Sequence, residues 1–222
     1  MACRGQILPK QALCQRVGID RGTGRGRICQ QGAMMLDRFR DYWVYGGSLA
    51  GVILLIVGVG IAPFFGMPLL LIYLLLPIYM LHQLEEHYDD RFRTFVNREV
   101  GGGAEVLTRG AVFLINVPGV WGIYAIVFAL AATVHIGFGL IAAYTTLVNA
   151  LAHAGQALQM RRANPGIYTA MLLFLPASIL TIQALAGIKD VGAAFHGLGL
   201  VVALTIHALI IGYVAVRRTA TL

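Results

Sequence analysis

Charge is what this 222-residue chain has least of. Only 12% of its residues are charged and 58% are hydrophobic, against roughly 25% charged in an ordinary soluble domain. That shortage excludes a core wrapped in a polar shell and makes the bilayer the main apolar solvent. Cysteine is nearly absent too. Cys3, Cys14 and Cys29 all fall in the first 30 residues, an odd number that excludes a disulfide framework, a zinc finger and thiol chemistry as the function. No nucleic-acid-binding motif accompanies the formal charge of +7 or the pI near 9.7, so no nucleic-acid partner is expected.

The first 33 residues, MACRGQILPKQALCQRVGIDRGTGRGRICQQGA, have no apolar h-region and no helical or alternating periodicity. MMLDRFRDYW follows directly and leads into the first apolar run. We expect residues 1–33 to be a disordered or mis-assigned N-terminal extension, with the natural start at Met34 or Met35. Residues 34–222 are expected to form a single transmembrane helical domain.

A helix needs about 20 residues to cross the hydrocarbon core, and six segments qualify. They cover about residues 46–65, 67 onward, 111–132, 133–158, 167–188 and 191–216. The second is free of charge only to His82, so its motif residues must finish the span. The turn between the third and fourth is marked only by TVHIGFG. With the N-terminus cytoplasmic, the basic residues of the N-terminal segment, of residues 83–110, of the RRANPG loop and of Arg217 and Arg218 share one side. Of the 17 Lys and Arg residues only Lys189 falls outside this set. The fold class expected is therefore all-α: a polytopic membrane bundle of about six helices with both termini cytoplasmic.

The polar residues inside these spans gather at one depth. His82 and Glu86 are i and i+4 on the second helix, with Glu85 flanking them. Asn149 and His153 repeat the spacing on the fourth helix, about a turn from the same side. Asn116 lies near that level on the third helix, Asn164-Pro165-Gly166 opens the fifth, and His207 sits near mid-depth on the sixth as an optional contributor. His135 and His196 fall at the opposite side. Ionisable groups within a span cost about 2.5–3.5 kcal/mol on insertion scales and are rare without a role. Glu85, Glu86 and His87 also fit a solvated helix end. His153 and Asn149, inside an apolar helix, need partners, and a cluster of His82, Glu85, Glu86, Asn149 and His153 meets both needs. The Asp89, Asp90, Arg91, Arg93 run reads as an internally paired, solvated segment, and GGGAEVLTRG as a Gly-triplet turn.

Histidine and carboxylate donors suit Zn(II) or Fe(II). His82, Glu85, Glu86 and His153 are the expected metal ligands. Glu85, Glu86, His153 and Asn149 are the expected catalytic groups, with Asn149 orienting His153 or binding a substrate oxygen. A metal-free version uses a glutamate as general acid or base with His153 as its partner. The expected function is a membrane enzyme with a cytoplasm-facing site acting on a lipid or small hydrophobic substrate, with hydrolysis favoured over oxidation because no multi-histidine desaturase boxes are present. The alternative is a proton- or cation-coupled transporter using the same cluster, although six helices without a detectable internal repeat fit repeat-built transporters poorly.

In order, HQLEE at 82–86, the Asn and His of NALAH at 149–153 and the Pro-Gly of NPG at 164–166 resemble the HXXEE family of small integral-membrane proteins. The resemblance covers about residues 43–216. It implies a mostly bacterial, cytoplasmic-membrane protein in which an enzymatic role is suspected from the motif chemistry and no reaction is established. The family's positions map onto His82, Glu85, Glu86, Asn149, His153, Pro165 and Gly166. Glutamic intramembrane proteases fit less well, since Glu85-Glu86 is followed by Arg91 one residue too late for EExxxR. Ceramidase-like zinc hydrolases use a late HxxxH, and His196 and His207 do not supply that spacing.

Overall fold

The computed structural model describes residues 24–220. The expectation for residues 1–33 falls largely on residues outside this range. Two compact units are distinguished, Met1–Trp43 and Val44–Leu222. Of the first, the described part is the beginning of helix α1, Gly24–Ile61. Everything below concerns the second.

The architecture is all-helical, with no strand among the described residues. After α1 come α2 (Met67–His87), α3 (Arg91–Glu99), α4 (Arg109–Thr133), α5 (Gly139–Met160), α6 (Ile167–Ala186) and α7 (Ala193–Thr219). Six helices are long and apolar enough to cross a membrane; their bounds lie within a few residues of those the sequence predicts, except that the first span starts at Arg38 rather than near residue 46.

Local chemistry sets the breaks. Pro63 and Gly66 end α1, and Pro68 lies at the start of α2, where its missing N–H costs nothing. α2 runs through the motif to His87, as its short charge-free stretch requires. Asp89 and Asp90 then turn to positive φ, 51° and 59°, a conformation that Asp tolerates better than most residues. The chain leaves that kink as α3, a short amphipathic helix with Phe95 and Val96 buried. Arg93 pairs with Asp90 through Nε and Nη2, and with Glu105 at 3.1 Å, so the charged run is internally paired as expected. The Gly triplet makes its turn, and the Thr108 hydroxyl caps α4 by accepting the Ala111 N–H at 3.1 Å. The break between α4 and α5 falls at TVHIGFG, where a 3-10 turn covers Ile136–Phe138.

α5 is the central helix, packed along α7, α6, α4 and α2. In a bilayer helices gain little from leaving lipid for one another, so close van der Waals approach and polar links hold them. A Cβ on Gly139 would run into the Ile72 side chain, so glycine lets α2 and α5 cross this closely without displacing it. Tyr124 of α4 links to Thr146 of α5 at 2.6 Å. Leu75, Leu140, Phe174 and Leu185 are wholly buried in the interior.

Both α4 and α6 carry π-helical turns, Ile115–Trp121 with Pro118 inside and Ala170–Phe174 just before Pro176. Proline denies its ring position an N–H, and the wider turn accommodates the freed carbonyls. In α4 the wide turn holds Asn116 toward Gln83 of α2. In α6 it sets Phe174 under the His82 ring, with centroids 4.1 Å apart.

Candidate metal centre

At the end of the bundle where α2 and α5 finish and α6 begins, three buried side chains converge. His82 and Glu86, one turn apart on α2, meet His153 from α5. A donor atom from each lies within 4.8 Å of the others. His82 Nε2 stands 3.6 Å from Glu86 Oε2, and His153 Nε2 stands 3.5 Å from Glu86 Oε1. The two imidazole rings are edge to face with centroids 5.0 Å apart.

The surrounding hydrogen bonds fix the tautomer of each ring. Thr169, in the first turn of α6, has one hydroxyl proton. Its Oγ1 lies 2.5 Å from Glu85 Oε2 and 3.4 Å from the Gly166 carbonyl, so that proton goes to the carboxylate. His82 Nδ1, 2.8 Å from the same hydroxyl oxygen, must therefore be the donor, which leaves Nε2 as a bare lone pair. For His153, the Asn164 amide is oriented by its Nδ2, which donates to the His153 carbonyl at 2.8 Å. Its Oδ1 then faces His153 Nδ1 at 3.0 Å and accepts that proton. Again Nε2 is the lone pair.

Both Nε2 atoms thus face the Glu86 carboxylate, which His87 Nε2 also approaches at 3.2 Å. His82 Nε2 is fully buried and has no hydrogen-bond partner, a cost of about 1–3 kcal/mol unless a cation or a proton stands between the groups. Any two ligands 2.0–2.1 Å from a tetrahedral zinc are about 3.3 Å apart; here each histidine Nε2 faces a different Glu86 oxygen, at 3.5 and 3.6 Å, and one donor atom from each of the three residues lies within 4.8 Å of the others. Two histidines and one carboxylate leave an open coordination position, the arrangement of a catalytic rather than a structural site. Carboxylate–hydroxyl and amide groups holding the far ring nitrogens are the usual supports of ligand histidines.

Gly166 closes the site. Its φ is +95°, and a Cβ there would lie 2.8 Å from Cε1 of both His82 and His153 and 3.3 Å from the Glu86 Cβ. Only glycine takes this backbone conformation easily and lets the chain come this near both rings. Pro165-Gly166 is therefore part of the site's wall as well as a turn.

The other sequence-predicted residues sit as follows. Glu85 is not among the three convergent groups. About 100° round the helix from Glu86, it accepts the backbone N–H groups of Tyr168 at 3.2 Å and Thr169 at 2.7 Å, capping α6 and holding Thr169 against His82. Asn149 donates to the Tyr79 hydroxyl and leaves the orienting of His153 to Asn164. Asn116 is tied into a separate chain, accepting from Gln83 Nε2 at 2.9 Å, while Gln83 Oε1 accepts the Trp121 indole N–H at 2.6 Å. His87 is buried, not solvated, with Nε2 3.2 Å from Glu86 Oε2. Thr169 and Gln83 are missed from sequence. The signal for Thr169 is its position three residues after Gly166, in the turn that a carboxylate on α2 must cap.

A cavity of about 310 Å³ adjoins the cluster. Glu86, His153, Asn149 and His207 reach it, and most of the rest of its wall is apolar. His207 Nδ1 donates to the Ala203 carbonyl at 2.8 Å, so its Nε2 is again the unprotonated nitrogen.

Among known proteins, the family model described as "protein of unknown function with HXXEE motif" matches residues 73–181, which contain every residue of the cluster and its supports. No curated protein and no solved structure matches the chain.

Proposed function

Since the chain belongs to the HXXEE-motif family, whose description records no function, we propose that it is a metal-dependent membrane enzyme acting on a lipid or small hydrophobic substrate. The observation that carries this reading is the pair of Nε2 atoms, each on a ring held from its Nδ1 side, that meet the Glu86 carboxylate within 4.8 Å. His82, His153 and Glu86 would hold Zn(II) or Fe(II), which supplies Lewis acidity to a substrate oxygen. Glu85 acts through Thr169 to hold His82, and Asn164 holds His153. Asn149 and His207 line the adjoining cavity and meet the polar part of the substrate there. Hydrolysis is favoured over oxidation because the sequence carries no multi-histidine desaturase boxes; the two-histidine, one-carboxylate set itself suits zinc and non-haem iron alike.

The site belongs on the cytoplasmic side of a bacterial cytoplasmic membrane. Arg91, Arg93, Arg98, Arg109, Arg161, Arg162, Arg217 and Arg218 lie on the segments at its end of the bundle, whereas Lys189 lies on the α6–α7 connection at the other. Positive charge concentrates on the inner side. The transport reading would need the polar cluster to continue across the membrane. His196, near the far end, is engaged by the Tyr144 hydroxyl at 2.9 Å and does not line the cavity.

The test is elemental analysis of the detergent-purified full chain beside a His82→Ala/His153→Ala variant. About one equivalent of zinc or iron, absent from a variant that remains monodisperse and helical, is the expected result. If neither protein holds metal after purification without chelator and reloading, the metalloenzyme reading is wrong.

A further inference from the structure

The cavity beside the cluster has a shape and placement that narrow the substrate class. Its floor is α5, with Thr145, Asn149 and Ala152, and one side is α2 with Tyr79 and Glu86. At the charged end it is roofed by Phe92 and Val96 of α3 and by Leu107 of the following loop. That loop is latched to the last turn of α7, where Arg217 Nη2 donates to the Glu105 carbonyl at 3.3 Å. The two remaining walls are α4 and α7, lined by Val112 and Ile115 on one and by Ile206, Ile210, Ile211 and Val214 on the other. α7 packs along α5 and makes little direct contact with α4. The stretch between α4 and α7 is therefore not closed by packing of one helix on the other.

From this we infer that the cavity takes a single-chain amphiphile from the membrane through the gap between α4 and α7. Its apolar chain lies along the α7 isoleucines, and its polar head stands between Glu86 and His153 on one side and His207 on the other. This rests on the enzyme reading above and names its substrate class. Four observations support it. Glu86 and His153 stand at one end of the cavity and Ile206, Ile210, Ile211 and Val214 give it a long apolar side, which suits a ligand with a polar head and an apolar chain. About 310 Å³ is the lower limit of small-molecule sites, enough for one chain and too small for a two-chain phospholipid. Phe92, Val96 and Leu107 cover the charged end. His207 presents an unprotonated Nε2, as its Nδ1–H is committed to Ala203, and so offers an acceptor to a head-group hydroxyl.

The experiment uses a diazirine-bearing twelve-carbon primary alcohol, photolysed with the full chain in lipid nanodiscs and mapped by mass spectrometry. Labelling is expected on residues 206–214 and 112–116, and it should fall at least fivefold under excess unlabelled dodecanol. Ile210→Trp and, independently, Ala152→Phe fill the cavity from two different helices and should each lower the competed labelling at least fivefold without changing metal content. Labelling spread over outward residues such as Leu204 and Leu209, and not competed, would mean annular lipid only and would overturn the inference. The unsubstituted protein, assayed for metal content and for labelling side by side, separates the two claims. Competed labelling in a protein that binds no metal keeps the lipid cavity and retires the metal. Bound metal without competed labelling does the reverse.

Discussion

Both ends of this bundle carry buried or half-buried histidines, His82, His87 and His153 at one and His135 and His196 at the other, and only one end turns them into a candidate site. At the far end His135 Nδ1 accepts the Gly137 N–H at 3.0 Å, and its ring stacks on Phe195 at 4.3 Å. His196 Nδ1 is paired with the Tyr144 hydroxyl. Each ring there meets a neutral partner, and among the described residues no carboxylate forms an ion pair with either. At the near end His82 and His153 spend their Nδ1 protons on Thr169 and Asn164 and turn bare nitrogens toward Glu86. Histidine content and burial therefore do not make a site. Convergence of two ring nitrogens on one buried carboxylate does, and it gives the near end a set of donors for a cation that the far end lacks.

The largest expected effect follows from removing the one anion. Glu86→Gln keeps size and shape but supplies an amide that can donate to either imidazole, so the cluster no longer needs a cation. Metal affinity measured by calorimetry should fall by more than about 100-fold, beyond the 10–100-fold typical of losing a supporting partner. An unchanged affinity would place the metal elsewhere and erase the contrast between the ends.

Gly166→Ala tests the close approach of the loop. The new Cβ meets two ligand rings at 2.8 Å on a residue held at φ +95°, so a loss of about 1–3 kcal/mol is expected, seen as a lowered unfolding temperature in detergent with loss of metal. Gly197→Ala, on α7 near the far end, has nothing within 4 Å of its Cβ and should be neutral or slightly stabilising. Equal effects at both positions would mean that the NPG segment is only a connection.

Much of this was legible in the sequence, for physical reasons that differ by feature. The spans were readable because a bilayer demands about 20 apolar residues, and the breaks because Pro63, Gly66 and the 133–139 segment leave few other places to turn. His82 with Glu86 followed from the i, i+4 geometry of a single helix. Which of two adjacent glutamates faces inward did not. They differ by about 100° of rotation, and the choice depends on where α5 and α6 lie, which no local pattern encodes. The pairing of His153 with Asn164 was hidden for the same reason: Asn149 satisfies the helical spacing, whereas Asn164 lies across a loop and reaches His153 only because Arg161 turns the chain at φ 53°.

The supports of the ligand rings predict a middle-sized effect. Thr169→Val removes the oxygen that accepts from His82 Nδ1 and releases Glu85 from that ring. Metal affinity should drop about 10–100-fold with the protein still folded, and Thr169→Ser should restore most of it. Tyr144→Phe, the corresponding change beside His196, should leave metal binding untouched. A drop in Thr169→Val that serine does not rescue would point to helix capping rather than to ring orientation.

The smallest effect is the far-end control, and it is informative because its sign differs between partners. His196→Phe leaves the Tyr144 hydroxyl without its imidazole partner, so stability should fall by about 0.5–1.5 kcal/mol. Adding Tyr144→Phe removes the abandoned group as well, and the double variant should recover most of that loss, since two apolar groups of similar shape cost little where a matched pair stood. At the near end the same logic fails. Three acceptors share one charge there, so replacing His153 by Phe beside Glu86→Gln cannot restore metal binding however well the pair repacks. Recovery by paired replacement at the far end, with no recovery of metal binding at the near one, is what a neutral pair and a cation site respectively require. Recovery at both ends would reduce the near cluster to a polar contact that packs the bundle.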